Sequence, residues 1–543
     1  MKQSASPLSA ILDYHERTKH HYDRFAESLG RLDWDNQPYP FRIFEGAQAF
    51  QFPIPKRDST PTFPMLNLPG GMPPRAVDAQ SLSEFFYFSM ALSAWKEFRG
   101  NRWALRVNPS SGNLHPTEAY LLLPSGSTGI GPGLYHYDPS RHALERRAAY
   151  SAETGAALAK GLPEGSFLAA LSSIPWREAW KYGERAYRYC RHDAGHAIAA
   201  LRFSAALMGW RLRVLGAVPD EELELLLGSA REDSGWEGER EFPETLIAVS
   251  PSSAVAEGWR PPTAAALAAS VSAWEGKANR LSAEHQEWGV IGDAVKACRA
   301  LLPVKRSGPK TPELAEHPSL CSLSAGQVIR GRRSAVRMDG KTGLKARAFF
   351  GMLARLDPAM TPVPWDCLDW PVSVHPVFFL HRVEGLAPGL YILAREKDKV
   401  EALKAAMSRE FAWKRPAETP RGLGLYLLKE GDFSGLAAKV SCGQDIAGEG
   451  AFSAGMLAEF EPRLEEFGAA FYRNLFWECG AIGQVLYLEA EAAGLRGTGI
   501  GCYFDDPVHE ALGLEGRSFQ SLYHFAVGGG VEDARLTTLP AYK

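Results

Sequence analysis

Two stretches of the chain are apolar on nearly every face of a helical repeat. From Tyr187-Arg188 through Gly195 to Gly209, the residues Ala197, Ile198, Leu201, Ala205 and Leu207 recur at helical spacing. The C-terminal half repeats the layout. Tyr472-Arg473 stands the same seven residues before Gly480, and Gly494 the same fourteen after it, with Ile482, Val485, Leu486, Leu488 and Ala490 between. A helix with no polar face needs a large apolar partner, and the other copy is the natural one.

Strand patterns repeat in the same order. Pro109 to Tyr120, ending in the apolar run Ala119-Tyr120-Leu121-Leu122-Leu123, is followed by Gly133-Leu134-Tyr135-His136-Tyr137. It is answered by Pro371 to Leu380, followed by Gly389-Leu390-Tyr391-Ile392-Leu393. Equal order and spacing predict a duplication, hence two tandem α+β domains forming an intrachain pseudo-dimer.

The expected organisation is an extended N-terminal arm over residues 1–80, a first domain over 81–260, a helical linker and connector over 261–320, and a second domain over 321–543. The arm is rich in proline and aromatic residues, as in Phe52-Pro53-Ile54-Pro55. The linker is alanine-rich around 263–269, and residues 304–320 carry the prolines of a connector. Near the start, Tyr14 to Tyr22 predicts a short solvated helix, and its three histidines lack the companions of a metal site.

Composition removes some functions. With 60 Lys and Arg against 63 Asp and Glu, the net charge of -3 offers no footprint for nucleic acid or an anionic membrane. A small molecule or another protein is the expected partner. Asp13 and His15 interrupt any signal-peptide core, and no run reaches the roughly 18 apolar residues of a membrane span. The expectation is a soluble, cytoplasmic protein. Seven dispersed cysteines without a CxxC pair argue against a zinc or iron–sulfur site and for small buried side chains in a reducing compartment.

Three segments carry candidate chemistry. The first is Arg106-Val107-Asn108-Pro109-Ser110-Ser111-Gly112-Asn113-Leu114-His115-Pro116, whose prolines oppose helix while its hydroxyls, amide and glycine suit a polar ligand. The second is Ile329-Arg330-Gly331-Arg332-Arg333-Ser334-Ala335-Val336-Arg337, at a predicted helix-to-strand corner. Its guanidiniums match phosphate oxygens, or else form a solvated surface cluster. The third is Gly494-Leu495-Arg496-Gly497-Thr498-Gly499-Ile500-Gly501-Cys502, a glycine-rich turn that either exposes backbone to a planar ring or is a turn and nothing more. His192-Asp193-Ala194-Gly195-His196 has the spacing of a zinc-protease helix, but the Asp is a methylene short and no third ligand follows. A helix-packing role is the reading for it.

Taken together, Arg332-Arg333-Ser334, the Pro109–Pro116 loop and the buried helix running into Gly499-Ile500-Gly501 resemble the nitroreductase superfamily of flavin enzymes. Gly133 to Tyr137 and Lys181-Tyr182-Gly183-Glu184-Arg185-Ala186-Tyr187-Arg188-Tyr189, with Gly195-His196, resemble its SagB/ThcOx-type dehydrogenase branch. The resemblance covers about 81–250 and 321–535. It implies FMN at the interface of two protomers, one giving the Arg-Arg-Ser contact and the glycine turn, the other the Pro-Ser-Ser-x-Asn loop.

The losses in the two copies are complementary. Copy one keeps Pro109, Ser110, Ser111 and Asn113 but reads Ser81-Leu82-Ser83 and Trp210-Arg211-Leu212 where the other elements belong. Copy two keeps Arg332, Arg333, Ser334, Gly499, Ile500 and Gly501 but reads Pro371-Val372-Ser373-Val374-His375-Pro376 at the loop. One composite FMN site per chain is the expectation. Where the family has a second arginine this chain has Val336, with Arg337 next to it, and Gly528-Gly529-Gly530 replaces basic residues near the end, with only Arg535 beyond.

By the same resemblance, Lys181 and Tyr182 match the catalytic pair of azoline-oxidising members, or else merely flank a helix start. The implied activity is oxidation of an azoline ring or similar C–N bond in a modified peptide or small molecule. Two alternatives stand beside it: an NAD(P)H-dependent reductase of nitro compounds or quinones, and a flavin-binding subunit without turnover.

Overall fold

In the computed structural model, which describes residues 6–299 and 321–542 except 69–70, 126–128, 217, 257 and 272, the duplication is visible strand by strand. The first unit holds an antiparallel sheet whose strands run, side by side, Ala49–Gln51, Ala143–Ala149, Gly133–Asp138, Thr117–Leu123, Phe167–Ser173, Phe242–Ser250 and Arg211–Val214. The second runs Leu425–Glu430, Gly389–Leu393, Val374–Leu380, Phe452–Glu459, Phe519–Gly528 and Arg496–Ile500. Apart from the extra edge strand supplied by Ala49–Gln51, the two orders correspond.

The apolar repeats form the helices Ala186–Leu207 and Phe471–Ala492, each of 22 residues and buried along almost its whole length. They pack on one another at the duplicated glycines. A Cβ on Gly195 would lie 2.3 Å from the Trp477 carbonyl oxygen, and one on Gly480 would lie 2.2 Å from that of His192. Glycine at both positions lets the two backbones touch, which joins the units through one core. The two units are therefore halves of an intrachain pseudo-dimer.

Both chain ends tie into this body. The helix Pro7–Arg17, capped by Ser6, is not the solvated helix expected: Ile11, Tyr14 and His15 are buried. Tyr14 Oη donates to the Glu184 carbonyl in the first unit, while His15 bonds Tyr472 Oη and Gln520 Oε1 in the second. His15 is thus a packing and bridging group, because its face of the helix is wedged between the units while Ser9, Asp13 and Arg17 stay exposed on the other. At the other end, Thr537–Leu539 crosses back to extend the first unit's hairpin Leu92–Phe98 and Asn101–Arg106. The linker contributes the helices Ala264–Ser270 and Gly289–Ala297, and the expected connector at 304–320 lies outside the described residues.

A buried ion cluster lies between the units. Asp505 takes Arg185 at 3.0 Å and Arg188 at 2.8 Å, together with the backbone N–H of His20. Burial alone would raise the Asp505 carboxyl, but the two guanidiniums hold it well below the usual carboxylate range. No helix among the described residues is long and apolar enough to cross a membrane.

Candidate functional site

The loop after Asn101–Arg106 turns sharply because three of four consecutive positions carry positive φ: Gly112 at 57°, Asn113 at 60° and His115 at 55°. Side chains hold it in that shape. Ser110 Oγ accepts the His115 N–H at 2.7 Å, and Asn113 Nδ2 donates to the Ala104 carbonyl at 2.9 Å. Ser111 donates both its N–H and its hydroxyl to Asp193 on the first central helix. Much of the hydrogen-bonding capacity expected to face a ligand is therefore spent inside the loop. At Gly112, a Cβ would come within 2.6 Å of Tyr182 Oη.

The opposite wall comes from the second unit. The helix Ala325–Gly331 ends at Arg332, and the segment after it runs beside Arg496–Ile500, with Ala335 N–H donating to the Gly497 carbonyl at 3.0 Å. That glycine-rich segment is an edge strand, not the turn expected, because Phe519–Gly528 offers it a ladder. Its glycines answer to aromatic neighbours: a Cβ on Gly499 would sit 1.9 Å from Tyr523 Oη, and one on Gly501 2.0 Å from the Tyr189 ring. Tyr487 Oη bonds Ser334 Oγ at 2.8 Å and accepts the Gly499 N–H at 2.9 Å.

These two walls enclose a cavity of about 420 Å³ between the units. Pro109, Ser110, Ser111, Asn113, Tyr182, Arg332, Arg333, Ser334, Gly499, Ile500 and Gly501 all line it. Lys181 and Arg337 do not. Lys181 and Tyr182 end the helix Pro175–Tyr182 instead of flanking a helix start, and the Lys181 ammonium lies 5.3 Å from the centre of the Tyr182 ring. The Arg337 carbonyl accepts from Val531 while the exposed Val336 takes the cavity rim. Beyond the glycines at 528–530 the rim carries Glu532 and Asp533, and Asp533 is paired with Arg535 at 2.7 Å.

Electrostatically the cavity is asymmetric. Arg332 donates to the carbonyls of Val107 and Arg106 across the interface, and Arg333 to Ser93 Oγ and to the carbonyls of Arg330 and Arg332. Neither forms an ion pair with a carboxylate among the described residues, and the nearby Glu491, whose charge reaches both, is paired with Arg496. Burial, then the charge of Arg332, brings the Arg333 guanidinium down to about 10. Such a pair of desolvated cations is a site for an anion.

Tyr189, His196, Tyr487 and Tyr523 form the floor; the first two lie in segments already quoted for the resemblance, whereas Tyr487 and Tyr523 escaped sequence reasoning because the apolar pattern around them gave no sign of a ligand. His196 bonds Gln484 Oε1 and Tyr523 Oη, and burial lowers it to about 3, so the ring is neutral. Asp193 is raised to about 7 by burial, against which the Ser111 and Ser110 bonds pull. Glu178, buried beside it, is pushed well above the usual range by burial and by the Asp193 charge.

A pH dependence follows. The folded Asp193 carboxyl binds its proton more tightly than the unfolded one, whose ordinary value is 3.8. Its contribution to stability is complete below about pH 4 and is lost as pH rises through about 7. Asp193→Asn, which keeps an acceptor for Ser111, is expected to flatten that decline. Urea unfolding at intervals between pH 4 and 7.5 reads it, and an unchanged slope would remove the group from the balance.

At the pseudo-symmetric position, the corresponding elements are engaged by other side chains. Glu478, two residues before Gly480 as Asp193 is before Gly195, accepts the N–H groups of Ser373 and Val374. The strand Arg211–Val214 is covered by the turn Trp365–Cys367, with Arg202 bound to Asp366 at 2.8 Å and Arg213 to Asp369 at 3.1 Å. Trp365 and Trp370 are buried there.

No family model matches the chain. It is 30% identical over 132 residues to the trifolitoxin-processing protein TfxB of Rhizobium leguminosarum bv. trifolii, a match covering 22% of this chain and 34% of TfxB. It is 28% identical over 125 residues to MJ1384 of Methanocaldococcus jannaschii, a protein with a nitroreductase name, covering 22% of this chain and 62% of that one. The chain thus spans less than two thirds of either relative. A crystal structure from Anabaena variabilis, of a protein also given a nitroreductase name, superposes with a TM-score of 0.67 at 22% identity, over 96% of this chain and 99% of that one. The match runs through both units, and the chain therefore shares the fold of that protein, with two similar α+β units joined in tandem.

Proposed function

We propose that this chain is an FMN-dependent oxidoreductase with one composite flavin site, and that it works as a SagB/ThcOx-type dehydrogenase on an azoline ring or similar C–N bond. One observation carries the cofactor. Arg332 and Arg333 stand at the cavity without an ion-pair partner among the described residues, and the phosphate of FMN supplies that charge with oxygens suited to guanidinium donors. Ser334 adds a hydroxyl, and Gly499 and Gly501 line the cavity beside Tyr523 and Tyr189, whose rings take the space a side chain there would need. The cavity volume falls within the ~300–1,000 Å³ common for ligand sites. The elements at the pseudo-symmetric position are engaged by Glu478, Asp366 and Asp369, which supports a single site.

When bound, FMN supplies hydride acceptance; the chain orients the substrate and manages protons. Tyr182 faces the cavity as a neutral phenol, its ionisation opposed by burial, then by Glu178 and Tyr189. It is a hydrogen-bond donor to substrate, and Lys181 acts through it. Similarity to TfxB, a toxin-processing protein, supports a peptide substrate. Similarity to MJ1384 favours a second reading, an NAD(P)H-dependent reductase of nitro compounds or quinones.

The test is the absorbance spectrum of the purified chain with flavin quantified per polypeptide. One FMN per chain is expected, and a ratio near two, or none after reconstitution, overturns the reading. Slow bleaching of that flavin by NAD(P)H favours the dehydrogenase, and rapid bleaching the reductase.

A further inference from the structure

Cys442 and Cys502, sixty residues apart in sequence, meet at the cavity with their sulfurs 2.7 Å apart. Neither is a core thiol. Both are half-buried, and Cys502 lines the cavity directly after Gly501, whereas Cys190, Cys298, Cys367 and Cys479 are buried. Their backbones are tied on either side of the contact. Gln444 Nε2 donates to the Cys502 carbonyl at 3.0 Å, and the Phe504 N–H to the Val440 carbonyl at 2.8 Å. A bond of about 2.05 Å therefore closes without a large backbone movement.

The surroundings separate the two roles. Arg185 donates to the Gly501 carbonyl at 3.3 Å, one residue from Cys502. The hydrogen bond with Cys442, followed by the charge of Arg185 acting against burial, lowers the Cys502 thiol, while the Cys442 thiol is raised by the same contact and by burial. Cys502 lines the cavity and Cys442 does not, so an incoming disulfide reaches Cys502 first and Cys442 is the resolving thiol.

We propose that Cys442 and Cys502 form a redox-active dithiol in the cavity wall that exchanges with small-molecule disulfides such as oxidised glutathione. The Cys502 thiolate attacks one sulfur of that disulfide, breaking its S–S bond and expelling one thiolate, which takes up the proton Cys502 has lost. Cys442 then gives up its proton and attacks Cys502 Sγ, closing the intrachain bond and releasing the second small thiol. Two protein thiols are oxidised and one disulfide is reduced to two thiols. The bond would fasten the end of the Arg496–Ile500 strand to the segment after the helix Ser434–Val440, fixing one wall of the cavity.

The experiment exposes the folded full-length chain to oxidised glutathione, alkylates it in denaturant, and maps the peptides by mass spectrometry. It needs no bound flavin. The native chain should lose two of its seven thiols, with Cys442 linked to Cys502 and no glutathione retained. Cys442→Ser should stop with glutathione on Cys502, and Cys502→Ser should leave Cys442 free over the same time. All seven thiols alkylated, glutathione retained on the native chain, or links confined to other cysteines would overturn the proposal. The native measurement decides it even if a variant fails to fold.

Discussion

A chain carrying Arg333→Glu should fold normally yet bind FMN ~100- to 1,000-fold more weakly, because one charge-assisted contact is lost and a like charge faces the phosphate. Arg333 is the cleaner of the two probes. It bonds only Ser93 Oγ and neighbouring carbonyls, whereas Arg332 also holds the Val107 and Arg106 carbonyls of the opposing loop. Fluorescence titration with FMN measures the loss, and an unchanged thermal midpoint separates it from misfolding. Arg333→Lys should recover part of the affinity, since a point charge replaces a fork. Wild-type affinity in Arg333→Glu would put the phosphate elsewhere and with it the whole orientation of the cofactor.

The second large effect is expected far from any ligand. Gly480→Ala places a methyl group 2.2 Å from the His192 carbonyl oxygen and 2.8 Å from the His196 nitrogen. Both are backbone atoms of the other central helix, so no rotamer change relieves the clash. The helices must separate, at a cost at or above the ~3 kcal/mol upper end of ordinary overpacking. Urea unfolding should show that loss, and flavin binding should weaken with it because the two walls of the cavity belong to different units. Gly351→Ala is the control. It lies within the helix Ala346–Leu356 with open space around its Cβ position, and should be neutral or stabilising by up to about 1 kcal/mol. Equal destabilisation in both variants would mean that the helix contact is not what joins the units.

The parts of the candidate site that were legible share one property: their residue types are unusual for the local structure they occupy. Serines, asparagine and glycine between two prolines stand out in any sequence, as do adjacent arginines and a run of alternating glycines. The pairing of a kept element in one copy with a lost one in the other was legible for the same reason, and the structure brings Arg332, Arg333 and Ser334 opposite the Pro109–Asn113 loop in one cavity. Arg337 and Lys181 lie outside the cavity lining, because single-residue facing at an irregular corner or a helix end depends on torsions that spacing does not fix. Tyr487 and Tyr523 read as ordinary core residues, and they are core residues whose hydroxyls happen to reach the cavity floor.

What the sequence determined by itself was therefore the duplication, the α+β character and the burial of the two central helices, since periodicity and repetition are local or near-local properties. The tertiary structure decided which groups met across hundreds of residues. It wedged the N-terminal helix between the units, turned the glycine run into a strand by giving it a ladder partner, and carried the last strand back to the first unit. It also brought together Cys442 and Cys502, two of seven cysteines that look unrelated along the chain. The physical reason is common to all of these. Apolar patterning fixes which surface a segment must bury, but the identity of what covers it emerges only when the two halves pack.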